Sequence, residues 1–260
     1  MKNVLIILSA FVLTLLCSCS KSDGDPITKE FSINNTYTEL NVSHAFEVTV
    51  SDAVSQVTVT AGDRIMPKVI VEEKNGKLTI RLKGWTVANG ELKALIPNNP
   101  NLKDVDLSGA SEFHSQHPIV AQEVYIDLSG SSNFYCDIEA PTVDMDLSGA
   151  STIKGGIVAT SKLDLELSGS SDATLTGTVG TLDMELSGSS DLKEIVVDNH
   201  YGLVCNQCKC SISGSSSAYF HCDNSITGSV SGSSSLHYTG NASTSGCSIS
   251  GSSNVVHDVL

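Results

Sequence analysis

The sequence predicts an all-β protein whose main body is a parallel β-helix, or β-solenoid, of about eight coils of ~20 residues each. Three observations carry this prediction. First, one short motif recurs, as Leu107-Ser108-Gly109-Ala110-Ser111, Leu128-Ser129-Gly130-Ser131-Ser132 and Leu147-Ser148-Gly149-Ala150-Ser151, and again around Gly169, Gly188, Gly214, Gly232 and Gly251. Neighbouring motif glycines stand 18 to 26 residues apart, mostly 19 to 21. Second, the residues one and three places before the motif serine are apolar, while those two and four before it are mostly polar. Such alternation marks a strand with one buried face. Third, no long helical periodicity appears beyond the first 18 residues. Parallel strands joined by short crossovers are expected to wind right-handed.

Residues 1–18 read as a lipoprotein signal peptide. Lys2 supplies the basic start, and the apolar run at 4–16 is shorter than the roughly 20 residues that span a bilayer. The run ends Leu16-Cys17-Ser18-Cys19, which resembles a bacterial lipobox with Cys19 as the acylated residue. Each buried CH₂ of such chains contributes ~0.8 kcal/mol of membrane affinity. A plain signal peptide cut nearby is the alternative. Residues 19–27 are polar and read as a flexible tether. Asp23 and Asp25 in it resemble the acidic stretch that routes some Bacteroidota lipoproteins to the outer face. The expected location is the cell envelope, as an outer-membrane lipoprotein facing either outward or into the periplasm.

Residues 28–100 form a β-rich part with strands expected at 30–33, 46–50, 56–60, 69–72, 78–82 and 95–96. Asn75-Gly76 between two of them is a hairpin signal. This part is expected to cover the first coil and protect its open edge. The solenoid then occupies 101–260. Within each coil, glycine allows a corner with positive φ, and a small residue follows. The third residue after the motif serine is serine in all eight coils, and the fifth is apolar or small, from Phe113 to Val255. The serine stacks either satisfy the corner backbone or present a hydroxyl array to a glycan.

The chain has 29 acidic and 15 basic residues, for a net charge of −14. That excludes nucleic acid as a partner, since phosphates need basic groups to neutralise them. The acids are patterned. Asp106, Asp127, Asp146, Glu166 and Glu185 stand two places before the motif serine in five successive coils, and Asp104, Asp144, Asp164 and Asp183 stand four before it. Carboxylates stacked ~5 Å apart repel one another. They form either a solvated face that keeps the sheet from gluing to others or a row of oxygens for a ligand or for Ca²⁺. The nonapeptide calcium-roll repeat is missing, and no other cofactor is implied.

Six cysteines follow the signal: Cys136, Cys205, Cys208, Cys210, Cys222 and Cys247. Buried thiols, disulfides and a metal knuckle at 205–210 are all open readings. Tyr219, Phe220 and Tyr238 fall at corresponding places in adjacent coils, as a sugar-stacking platform or as packing. His114 and His117 read as an exposed loop pair. Both arginines, Arg64 and Arg81, precede the solenoid, and no nucleophile elbow or zinc-protease motif occurs.

The combined pattern resembles the putative auto-transporter adhesin, head GIN domain family. The carrying residues are Phe31-Ser32-Ile33, Phe46-Glu47-Val48-Thr49-Val50, Gly76-Lys77-Leu78-Thr79-Ile80, Ile96-Pro97 with Leu102, and the recurrent Leu-Ser-Gly-Ser/Ala-Ser. The resemblance implies a β-helical fold and an exported protein, and offers no catalytic residues. The function expected is an adhesin-like binding module, not an enzyme, held to the membrane by a lipid anchor and taking a glycan or an extracellular protein. The alternatives are a periplasmic scaffold or envelope-stress partner, with end-to-end self-association through the weakly charged stretch 255–260, and a carbohydrate-active β-helix enzyme.

Overall fold

The computed structural model describes residues 23–260. The signal peptide, the lipidation site Cys19 and positions 19–22 of the expected tether lie outside the described residues. The described chain is all-β, a β-solenoid of about eight motif-bearing coils, with one short 3-10 turn at Met66–Lys68.

The apolar alternation becomes the core because coils stack in register. Val105, Ile126, Met145, Leu165 and Met184 lie over one another, as do Leu107, Leu128, Leu147, Leu167 and Leu186. All ten are essentially buried. On the strand after the corner, Phe113 and Phe134 stack with ring centroids 5.2 Å apart. Residues between these inward positions face solvent, so the interior is apolar and the outside is free to carry other chemistry.

The corners are built from backbone. The eight motif glycines have φ between 73 and 80°. From Gly130 onward, a Cβ at each would stand 2.3–2.6 Å from the carbonyl oxygen of the glycine one coil earlier. The close approach exists because the amide two places after each motif serine donates to that carbonyl at 2.7–2.8 Å. Just after it, the serines at 111, 132, 151, 171, 190 and 216 are fully buried. Each donates its hydroxyl at 2.8–2.9 Å to the carbonyl three residues back. These hydroxyls therefore close the corner and are not offered to a ligand. The long 26-residue step from Gly188 to Gly214 is accounted for by an inserted hairpin, Val196–Val197 against His200–Tyr201, turning at Asp198 and Asn199 with φ of 48 and 65°.

The N-terminal part contributes layers of its own as well as a cover. Its strands are β1 (Pro26–Phe31), β2 (Glu39–Val42), β3 (Glu47–Val50), β4 (Val57–Gly62), β5 (Val69–Lys74), β6 (Lys77–Leu82) and β7 (Lys93–Ile96). The solenoid strands β8 (Asp104–Leu107) and β9 (Glu112–His114) follow. β2 lies parallel to β8, with Leu40 on Val105 and Val42 on Leu107, and β3 lies parallel to β9, with Val48 on Phe113. Val42-Ser43-His44-Ala45-Phe46-Glu47-Val48 is thus one more coil in the motif's register. His44 and Ala45 hold φ of 75 and 72° without glycine, and buried Phe46 fills the place of the serine. β2 was not expected as a strand, because this disguised corner hides its spacing.

Outside that layer lie β6 on β2 and β7 on β3, both parallel. Antiparallel strands then end the stack: β5 on β6, and β4 on β7 with β1 beyond it. Asn75 and Gly76 both have positive φ, so the expected hairpin forms between β5 and β6. The described part of the expected tether is not loose. Asp23 is buried, and β1 begins at Pro26.

If the glycine column sets the stacking, Gly149→Ala should cost about 3 kcal/mol or more, from positive φ plus the clash with Gly130. Gly84→Ala, with φ of +62° and nothing within 4 Å, should cost about 1 kcal/mol. Urea unfolding of both variants checks this; equal losses would show that the column is not the constraint.

Candidate functional site

The acidic residues lie on the strands that precede each corner. Asp106, Asp127, Asp146, Glu166 and Glu185 are register partners in turn, forming one row. Asp104, Tyr125, Asp144, Asp164 and Asp183 form the next, so a tyrosine interrupts the second row. Period-two alternation places both rows on the outer face, and none of the nine carboxylates is buried.

The capped end and one flank of this face have basic or amide partners; among the described residues, the first row from Asp127 to Glu185 has no ion pair. Lys77 pairs with Glu39 at the capped end, and Asn41 donates its amide to Asp106 at 2.5 Å. Lys162 sits between Asp164 at 2.7 Å and Asp183 at 3.2 Å. Lys209 follows Asp183 in the second row, and Ser211 follows Glu185 in the first. Among the described residues, no ion pair reaches Asp127, Asp146, Glu166 or Glu185. Asp146, Glu166 and Glu185, with Ser168, Ser187 and Ser213, border a shallow groove of about 150 Å³.

Partial desolvation against the sheet raises the proton affinity of Asp104, Asp106, Asp127, Asp144 and Glu166 above the ordinary value. Neighbouring carboxylates add to it: Asp106 and Asp146 for Asp127, and Asp146 then Glu185 for Glu166. No cage accompanies the rows. Among the described residues, no group of three or more His, Cys, Asp or Glu side chains converges as if to hold a metal ion.

The aromatic platform needs correction. Phe220 and Tyr238 are register partners on the inner face, with Phe220 fully buried and Tyr238 nearly so. Tyr219, one residue along the strand, points outward and stacks on His237 at 4.7 Å. Tyr201 from the inserted hairpin meets Tyr219 edge-on at 5.6 Å. The Tyr201 hydroxyl donates to Asp258 Oδ2 at 2.5 Å, and His237 Nδ1 lies 2.9 Å from the same oxygen. Adjacent strand residues face opposite ways, so Tyr219 and Phe220 could not share a platform.

The two histidines also part company. His114 lies on β9, not on a loop, and stacks on Tyr135 at 4.6 Å. His117 Nε2 is 2.8 Å from Asp52. The six cysteines are free thiols, five of them buried and Cys247 half-buried. Burial pushes the Cys136 thiol up to about 11. Cys205, Cys208 and Cys210 all turn inward from one strand, which replaces the suggested knuckle with core packing.

Two features escaped the sequence reading. Tyr37 and Asn99 border a cavity of about 240 Å³ between the N-terminal layers and the solenoid, walled by Val50, Phe113 and Ile119. Asn99 Nδ2 donates to the Tyr37 carbonyl at 2.6 Å, while the Tyr37 hydroxyl itself is buried. The other feature is Trp85, the chain's single tryptophan, fully exposed on the loop between β6 and β7. A lone exposed ring carries no periodicity, so no pattern in the sequence marks it.

Fold and site together define a capped β-solenoid with a repetitive polar face. Solved structures with this architecture include a putative adhesin from Parabacteroides distasonis, 22% identical with a TM-score of 0.74, covering 91% of this chain and 96% of its own. A putative adhesin from Parabacteroides merdae is 18% identical with a TM-score of 0.76, covering 90% and 97%. A putative lipid binding protein from Parabacteroides distasonis is 21% identical with a TM-score of 0.74, covering 90% and 97%. At these identities the likeness is one of fold. No curated protein matches the chain in sequence. The chain belongs to the family described as putative auto-transporter adhesin, head GIN domain, which it matches over residues 36–157 and again over 143–242.

The raised carboxyls make a pH prediction. A carboxyl held above its ordinary value binds its proton more tightly in the folded chain. Its contribution is fully present below the ordinary values of 3.8 for Asp127 and 4.5 for Glu166, and is lost as pH rises through them to the folded values. At pH 7 these groups therefore oppose folding. The triple variant Asp127→Asn, Asp146→Asn, Glu166→Gln should be more stable than the parent at pH 7, on the order of 1 kcal/mol after solvent screening. At pH 3.5 the gain should nearly vanish. Thermal melts at both pH values check it, and an equal gain at both would sink the repulsion account.

Proposed function

We propose that this chain is a lipid-anchored cell-envelope protein that acts by binding, as an adhesin-like module, through the acidic face of its solenoid. The observation that carries this reading is the central row, where Asp127, Asp146, Glu166 and Glu185 repeat in register with no ion pair among the described residues. Repetition every coil suits a partner that is itself repetitive, such as a glycan or an extracellular protein presenting regularly spaced cationic or hydroxyl groups. Uncompensated like charge along the row costs stability at pH 7, and a partner that neutralises the row recovers it. Calcium fits this face as a screening cation. Membership of the adhesin family and the adhesin-named fold relatives support the reading. No described helix is long and apolar enough to cross a membrane. Anchoring is assigned to Cys19 on the lipobox-like run Leu16-Cys17-Ser18-Cys19.

A second reading, a periplasmic scaffold that associates end to end, draws on one observation. Beyond Ser243–Ile249 and Asn254–His257 no further described strand is paired, and Ile249 is half exposed there.

Proteinase digestion of intact and permeabilised cells, with a C-terminal tag, separates the two. The adhesin reading expects digestion on intact cells. It also expects immobilised glycans or matrix proteins to hold the parent severalfold more tightly than the Asp127→Asn, Asp146→Asn, Glu166→Gln variant. Protection until permeabilisation would remove the adhesin reading in favour of the scaffold. Calcium should raise the parent's melting temperature no more than magnesium at equal ionic strength; a calcium-specific rise would point to a cage instead.

A further inference from the structure

We propose that the capped end of the solenoid rests on the lipid bilayer, with the loop between β6 and β7 placing Trp85 and Val87 in the membrane interface. The proposal rests on the reading of Cys19 as the acylated residue. Trp85 is fully exposed and Val87 is 76% exposed, while the rings of Tyr37, Phe46, Phe113, Phe134 and Phe220 are fully buried. An unburied tryptophan two residues from an unburied valine has no partner in the described chain, and indole rings favour the headgroup level of a bilayer.

The position of the loop makes the bilayer its partner. Asp23 Oδ2 accepts the amides of Asn89 at 2.5 Å and Gly90 at 2.6 Å, at the base of this same loop. The Asp23 carbonyl accepts the Arg64 amide at 3.1 Å, tying the start of the described chain to the turn after β4. Cys19 is only four residues upstream, a reach of about 14 Å at full extension. An acylated Cys19 therefore holds the Asp23 side of the loop within about one leaflet's thickness of the surface its chains enter. The loop also leaves from the β6/β7 layer, the last one laid parallel on the stack. His44 Nε2 lies 3.1 Å from the Gly84 carbonyl and ties the loop's base to the next layer. Lys68 and Lys83 are exposed here, and the Lys83 amide donates to the Lys68 carbonyl at 2.8 Å. The acidic row begins two layers further along, at Asp106. Glu91, exposed on the same loop, pairs with Lys93 at 3.4 Å, so this end offers basic as well as acidic groups to anionic headgroups.

Because Trp85 is the single tryptophan, its fluorescence reports on this loop alone. The full-length lipoprotein is reconstituted into vesicles of phosphatidylethanolamine and phosphatidylglycerol, with and without lipids brominated high on the acyl chains. Flotation and the mass of the Cys19 peptide are read in the same preparation. The proposal expects a floating, acylated protein whose emission is blue-shifted, quenched by bromolipid and shielded from aqueous iodide. Asp23→Ala, which frees the loop's base, should keep flotation and lose most of the bromolipid quenching. A floating, acylated parent whose emission is quenched by iodide but not by bromolipid overturns the proposal and leaves the anchor standing. An unmodified Cys19 removes the anchor and the proposal together.

Discussion

The solenoid depends on how closely its corners stack. At each corner from Gly130 onward a backbone amide donates to the glycine carbonyl of the coil before, at a distance that leaves no room for a Cβ on the glycine above it. Glycine is needed there twice over, for its positive φ and for its missing side chain. Once the corners are fixed at this separation, the strands on either side fall into register. The leucine before the corner then lands on the leucine before the next, and the interior fills itself. The buried serine hydroxyl completes the unit by donating to a corner carbonyl three residues back. Corner, register and core are therefore one constraint seen at three scales.

That constraint leaves the outer face unconstrained. Nothing in the stacking requires acids at the outward positions, and the rows end where Ser211, Ser229 and Ser248 take their place in later coils. The face instead carries an electrostatic cost: desolvation raises the proton affinity of Asp127, and the carboxylates of Asp106 and Asp146 one strand away add to it. Lysines relieve this at the flank but not along the central row. This face is the one on which the proposed binding role rests.

The two ends of the rod differ for a related reason. A parallel stack always presents open strand edges at its ends. At the N-terminal end the edges are closed by β5 on one sheet and by β4 and β1 on the other, antiparallel strands that no further coil can follow. At the other end the last strands carry no such cover among the described residues. The molecule is thus polar along its axis, with the end that holds Asp23 finished and the acidic coils standing beyond it.

The sequence by itself determined the coil. The recurrent Leu-Ser-Gly, the alternation before it and the small residues after it are local requirements of φ, strand facing and corner volume, and each is written in residues close together in the chain. It also determined which acids share a face, because alternation and a near-constant period are enough to align them. Only the tertiary structure decided what the disguised and the solitary residues do. The segment from Val42 to Val48 is a coil without its glycine, legible only once β8 and β9 lie beneath it. Tyr219 and Phe220 looked alike in position until the strand turned one outward and the other into the core. Asp23 was one polar residue in a polar stretch until the folded loop offered it two amides. Contacts between residues some 65 positions apart depend on where separate layers come to rest, and no local period records that.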